Sequence, residues 1–153
     1  MLGINRLTHG LVLGVVSLPL WALQPAQAAS TLSVEIDGLR SRKGQVCLSI
    51  FNSSRGFPAN GDNALRSQCV RVKDKKSLKV SFRGLKAGSY AVAVLHDENA
   101  DGQANRNIIG IPTEGFGFSR NPGLRAGPPK FGEAAFLAAG SRTAIQVRMR
   151  YLF

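Results

Sequence analysis

The sequence predicts an all-β chain: a single antiparallel β-sandwich of about seven strands with one long capping loop. Three observations carry that expectation. Apolar residues recur at every second position through most of the chain, the period of a strand with one buried face. Glycine and charged residues punctuate these runs at short intervals, as turns do. No stretch keeps a helical period, apart from a single turn expected at "GDNALRS", Gly61 to Ser67.

The elements follow in order. "TLSVEIDGL" puts Leu32, Val34 and Ile36 on one face and stops at Gly38. "QVCLSIF" repeats the pattern with Val46, Leu48 and Ile50. "CVRVKDKKSLKVSF" reads as a hairpin, Val70 and Val72 leading through a charged turn at Asp74 to Lys76 into Leu78, Val80 and Phe82. "GSYAVAVLH" is apolar on both faces, the mark of a central strand covered on each side. "TAIQVRMRYLF" alternates Ile145, Val147, Met149 and Tyr151 against Gln146, Arg148 and Arg150. Short strands with such turns argue for a sandwich. The step "GLKAGSY", Gly84 to Tyr90, resembles the "GL-x-x-G-x-Y" turn of Ig-like and transthyretin-like modules, which implies a sandwich of that kind. An outer-membrane barrel is the rival architecture. Eight strands of ~9–11 alternating residues exceed what the chain supplies once 97–132 is read as loop.

Residues 1–28 read as a leader removed on export. Arg6 opens it, "LVLGVVSLPLWAL" forms its apolar stretch, and "AQA" predicts a cut after Ala28 into the periplasm or beyond. That stretch is broken by Pro19 and falls short of the ~20 residues a spanning helix needs, so no transmembrane span is expected in the mature chain. Residues 29–153 are enough for one domain with a sizeable core. They carry 19 basic and 9 acidic residues, a net charge of +10. Export puts intracellular nucleic acid out of reach as a partner for this charge. It leaves an envelope polyanion, such as lipopolysaccharide or acidic polysaccharide, beside a plain solvated surface or a protein partner. Cys47 and Cys69 are expected to form a disulfide in an oxidising compartment. The loop it closes is worth ~3.4 kcal/mol on the chain-entropy account. Both lie on the parity opposite to the aliphatic stripe, which predicts a staple on the rim or outer face.

Residues 97–132 are expected to be the capping loop, far longer than the ~4–6 residues usual in compact domains. Ile108, Ile109, Ile111, Phe116, Phe118 and Phe131 argue that it packs. Its first part offers oxygen donors at alternate positions. Asp97, Asn99 and Asp101 stand at positions 1, 3 and 5 of a calcium loop, with Gly102 at 6. The carbonyl of Gln103 would serve at 7 and Asn105 at 9. Ile108 occupies position 12, where a bidentate glutamate belongs, and Glu114 is the candidate substitute. The alternative is a turn whose Asx side chains bond their own backbone, and both readings stay open.

Catalytic arrangements are sparse. His96 is the only histidine in 29–153, no Gly-x-Ser-x-Gly elbow occurs, and Ser119 has no evident link to His96. His96 shares the parity of Tyr90, Val92 and Val94, which predicts packing or a hydrogen bond at the strand end. Glu114 and Asp101 are the one carboxylate pair that would suit a sugar hydrolase. A binding surface is expected at "TEGFGFSRNPGLRAGPPKF", where Phe116 and Phe118 stand beside Arg120, Arg125 and Lys130. The alternative there is that both phenylalanines fold back and plug one end of the sandwich.

Three co-linear motifs, "LHDENADGQ", "IGIPTEGFGFS" and "GPPKFGEAAF", closely resemble the bacterial secreted family known as domain of unknown function 2141. The likeness extends over most of 29–153. It implies an exported single domain, a β-sandwich, with the His-Asp-x-Asn-x-Asp loop present at His96 to Asp101. The cysteine pair is not part of what the resemblance implies. Together these readings predict a non-catalytic binding or accessory module of the bacterial cell envelope, with calcium in the 97–105 loop. The alternatives are a basic polyanion binder and a carboxylate-dependent hydrolase.

Overall fold

In the computed structural model, residues 29–73, 77–123 and 127–153 are described. The leader with its cleavage site, the charged turn expected at 74–76, and Arg125 lie outside them. The chain is all-β, with eight strands among the described residues: β1 (Ser30–Asp37), β2 (Gln45–Phe51), β3 (Arg66–Arg71), β4 (Ser77–Leu85), β5 (Gly88–Asp97), β6 (Gly115–Phe118), β7 (Phe136–Ala138) and β8 (Arg142–Arg148). One helical turn, α1 (Phe131–Ala134), precedes β7, and the turn expected at "GDNALRS" is a 3-10 turn at Gly61–Asn63.

The strands form two sheets, one ordered β4-β1-β8 and the other β3-β2-β5-β6, with β7 also on β5. The inward stripes of both supply one core: Leu32, Val34 and Ile36 of β1 and Val80 and Phe82 of β4 with Val46, Leu48 and Ile50 of β2 and Val92 and Val94 of β5. Along one side the sheets are tied together, because Phe116 and Arg150 exchange backbone hydrogen bonds at 3.0 and 2.8 Å.

Three expectations need correction. The first is the all-antiparallel sheet: β1 and β8 run parallel, Leu32 facing Thr143 and Ile36 facing Val147. A parallel pair needs only a long connection between its strands, and here six strands lie between them. The second is the hairpin through residues 70–82. β3 pairs with β2, whereas β4 pairs with β1 in the other sheet. Alternation says which face of a strand is buried, not which neighbour it hydrogen-bonds. The third is the unbroken loop 97–132, which contains β6, paired to β5 from Ala93–Phe118 to His96–Gly115, and then α1.

β5 is central, as its two apolar faces predict. Its even positions face the shared core, while Ala91 and Ala93 on the other face lie under a second cluster with Phe57, Phe116, Phe118, Phe131 and Ala134. Phe57 stands edge-on to Phe51, Phe118 and Phe131 at 5.4, 6.1 and 6.0 Å, separations that suit aromatic pairs. Buried Ser119 bolts this layer down, accepting from the N–H of Val92 at 2.9 Å and donating to the carbonyl of Ala134 at 2.6 Å.

Cys47 and Cys69 are bonded and face each other directly across β2 and β3. The bond sits on the face turned away from the core, with Cys69 exposed, so it fastens edge strand β3 to its neighbour.

Candidate functional site

One end of the fold gathers the turn after β1, the exit of β5 and the residues after β8. The turn closes on β5 because residue 44 is glycine: at its φ of +63° an added Cβ would lie 2.0 Å from the carbonyl oxygen of Asp97. His96, fully buried, uses both ring nitrogens here. Nε2 lies 3.0 Å from the carbonyl oxygen of Lys43, which can only accept, so Nε2 carries the proton. Nδ1 then accepts from the hydroxyl of Tyr151 at 2.6 Å. The same hydroxyl accepts the backbone N–H of Arg40 at 3.2 Å, and burial pushes the phenol upward from its ordinary pKa. This is the strand-end hydrogen-bonding role that its parity predicts.

Above that floor Arg40 is a hub. Its guanidinium lies 4.5 Å over the Tyr151 ring, donates to the Glu98 carboxylate at 2.5 and 3.1 Å, and reaches the carbonyls of Thr113 and Phe153. Glu98 also accepts from Ser41 at 2.5 Å. Chiefly through the Arg40 hydrogen bonds, its carboxyl is held down at about 2, and Arg40 is raised in return.

The expected metal-loop residues do come together. Buried Asp97 accepts the backbone N–H of Asp101 at 3.1 Å with one oxygen, and the backbone N–H of Gly102 and the side-chain Nε2 of Gln45, both at 2.9 Å, with the other. Asp101, exposed, accepts Nδ2 of Asn105 at 3.0 Å, Nδ2 of Asn99 at 2.9 Å and the backbone N–H of Gln103 at 2.8 Å. These donors, the Asn105 amide foremost, lower its pKa. Two amide NH2 groups thus stand where a cation would neutralise the carboxylate. The Oδ1 of Asn105 is left buried without a hydrogen-bond partner. Among the described residues no three His, Cys, Asp or Glu side chains converge as a ligand group. Ile108, at position 12, points fully into solvent.

Glu114, only 6 % exposed, uses both carboxylate oxygens on backbone amides. Its Oε1 accepts the backbone N–H of Glu98 at 3.0 Å and its Oε2 that of Asn105 at 3.2 Å. Both oxygens clamp the two ends of the loop together.

Beyond this clamp residues 105–113 rise as a narrow finger. Thr113 returns two hydrogen bonds to the Asn105 carbonyl, and Arg106 pairs with Pro112. Asn107 closes the tip: its Oδ1 accepts the N–H groups of Ile109 and Ile111 at 3.1 and 2.9 Å, and its backbone bonds Gly110 and Ile111. Arg106 donates to the Gly110 carbonyl at 2.8 Å. Ile108 and Ile109 stand at the summit, 104 % and 73 % exposed. The sequence placed them among the packing residues of the loop; they are not. The signal that marks them is two isoleucines inside an Asn-x-x-Gly turn, where a packed pair would need a strand or helix to hold it.

The expected aromatic surface divides. Phe118 is 9 % exposed and Phe116 half-buried, and both belong to the cluster over β5. Their rings pack with Ala91, Ala93, Phe57 and Phe131 over the outer face of β5. Arg120 and Lys130 are exposed at the two ends of α1, Arg120 donating to the Ala135 carbonyl at 3.3 Å and the backbone N–H of Lys130 to Glu133 at 2.6 Å.

A family model described as an uncharacterized protein conserved in bacteria, DUF2141, matches residues 34–146. That span runs from within β1 to within β8 and includes the whole finger. No curated protein matches the chain, and no solved structure does.

Proposed function

Taking as premise that the chain belongs to this DUF2141 family of bacterial proteins, we propose that it is an exported, non-catalytic binding or accessory module of the cell envelope. The scaffold of this reading is a β-sandwich of the Ig-like or transthyretin-like kind, which the shared core of the two sheets supports. The contact surface is the finger. One observation carries the proposal: Ile108 and Ile109 are held in solvent on a turn whose backbone is tied at the tip by Asn107 and at the base by Glu114. Exposed isoleucine adds nothing to folding, and an ordered apolar projection loses little freedom on docking.

Glu114 favours this reading over a carboxylate-dependent hydrolase, since both its oxygens hold backbone amides rather than facing an opening. The polyanion alternative rests on the charge of +10 and differs in its response to salt: affinity carried by charge falls steeply as salt is added. Calcium enters as a stabiliser of the finger's base, and the unpartnered Oδ1 of Asn105 favours it. Turning the Asn105 amide over would present its oxygen beside the Asp101 carboxylate, while the Asn99 Oδ1 is held by the Asp101 N–H at 3.2 Å.

The test is capture from detergent-extracted envelope fractions with the wild type and Ile108→Ser/Ile109→Ser. The partner, of whatever class, should be lost with the double variant. Equal capture by both would sink the finger as the contact surface.

A further inference from the structure

The reading of the finger as a contact surface leaves its partner open, and the arrangement around the tip narrows it. The N–H groups of Asn107, Ile109, Gly110 and Ile111 all find acceptors inside the turn. Four of the five N–H groups from Asn107 to Ile111 are thus satisfied within the turn, that of Ile108 having no acceptor among the described residues, and this lowers the cost of entering the acyl boundary, where an unsatisfied N–H is costly. The summit therefore presents mainly hydrocarbon, on a convex point rather than a flat patch.

Charge is stacked behind it in a definite order. Arg106 stands two residues below Ile108 and is exposed. At the base lie exposed Arg42 and Lys43, in the turn that meets the end of β5 through Gly44 against Asp97 and the finger through Arg40 on Thr113. Lys73 is exposed one residue beyond Val72, whose N–H reaches the Gly44 carbonyl. None of these four makes a salt bridge among the described residues. Among the described residues the acidic groups of this end are occupied: Glu98 by Arg40, Asp97 and Glu114 by backbone amides, Asp101 by two side-chain amides and the Gln103 N–H. Apolar tip first and cations next is the vertical order of a bilayer entered from outside, acyl chains beneath a layer of phosphate.

We propose, resting on the finger as the contact surface, that Ile108 and Ile109 insert into the acyl boundary of an anionic phospholipid bilayer while Arg42, Lys43 and Arg106 meet its phosphates. The contact is peripheral: one turn enters, and the sheets stay in water. Burial of the isoleucines supplies depth, and the cations supply the preference for anionic lipid.

The experiment is flotation of the purified protein with vesicles of phosphatidylethanolamine and phosphatidylglycerol, against vesicles of phosphatidylcholine alone. Binding to the anionic vesicles is expected. Ile108→Ser/Ile109→Ser should weaken it by at least about 100-fold, and Arg42→Gln/Lys43→Gln by about 20–30-fold, with melting points unchanged because all four side chains are exposed. In a Trp21→Phe background, Ile109→Trp supplies the sole indole. Its emission should shift to the blue on anionic vesicles and be quenched by lipids carrying a shallow acyl quencher. Unchanged emission, or equal flotation of the double-serine variant, overturns the lipid inference. If that variant still loses a protein partner in envelope capture, the lipid inference falls and the contact-surface reading stands. If it matches wild type in both assays, both fall.

Discussion

The buried carboxylate of Glu114 accepts the backbone N–H of Asn105 at 3.2 Å with one oxygen while the other holds the N–H of Glu98 at 3.0 Å. Nine residues apart in sequence, Asn105 and Glu114 thereby close the base of the finger. A glutamine in place of Glu114 keeps the shape but turns one acceptor into a donor. Glu114→Gln should cost about 1–3 kcal/mol, the usual consequence of leaving a buried N–H without an acceptor. Denaturant melts give the cost, and hydrogen exchange at the Asn105 and Glu98 amides should quicken selectively. Wild-type exchange at both positions would refute the clamp.

Acid should weaken the Arg40–Glu98 tie. The folded-state pKa of Glu98 is about 2, below the ordinary 4.5, so its contribution is complete above about pH 4.5 and is lost as pH falls through about 2. The pair is partly open, with side chains 36 % and 19 % exposed. After allowing for solvent screening, about 1–2 kcal/mol is at stake. Melting points measured from about pH 6 downward should fall more steeply over that window for wild type than for Glu98→Gln. Parallel profiles would show that the pair contributes nothing to folding.

Gly115 admits the ring of Tyr151. A Cβ at 115 would lie 2.2 Å from Cε1 of that ring, and Gly115 pairs with His96 across β5 and β6. Gly115→Ala should therefore destabilise by about 1–3 kcal/mol, the range for overpacking a filled site. It should also separate the Tyr151 hydroxyl from Nδ1 of His96. His96 is the only histidine in residues 29–153, so its ring resonances report the change without ambiguity. An unchanged His96 spectrum in Gly115→Ala would show that the ring tolerates the methyl.

Calcium at ~10 mM should raise the melting point of the chelated protein. A site with a Kd of ~0.1 mM would add ~2.7 kcal/mol, a shift of several degrees. Magnesium should do less, since it demands tighter octahedral geometry than a turned amide supplies. Asp101→Ala should abolish the calcium shift. No shift in the wild type would leave residues 97–105 as a turn stabilised by its own amides.

Much of the strand content was legible because a strand writes its burial into alternate residues. β1, β2, β4 and β8 were found where Leu32, Val46, Val80 and Ile145 recur at period two, and β5 was recognised as central because both of its faces are apolar. β6 was not legible. "GFGF" reads as loop because glycine is poor in strands. Its glycines answer to neighbours distant in sequence: an added Cβ at Gly117 would lie 2.7 Å from Val147 and 3.0 Å from the Arg148 carbonyl. In the candidate loop Asn99, Gln103 and Asn105 meet Asp101 through hydrogen bonds, while Ile108 and Ile109, read from the sequence as packing, stand in solvent.

By itself the sequence determined the all-β class, the faces of the long strands and the outer-face pairing of Cys47 with Cys69, since each is written in short-range pattern or in the cysteine count. Tertiary structure alone decided that β3 and β4 part into different sheets, that β1 lies parallel to β8, that Phe118 is buried and that Ile108 is not. The physical reason is the same in each case. Local pattern records whether a side chain prefers to leave water, but its partner is chosen by the whole set of competing surfaces, and a tip such as Ile108–Gly110 stays exposed because no surface among the described residues reaches it.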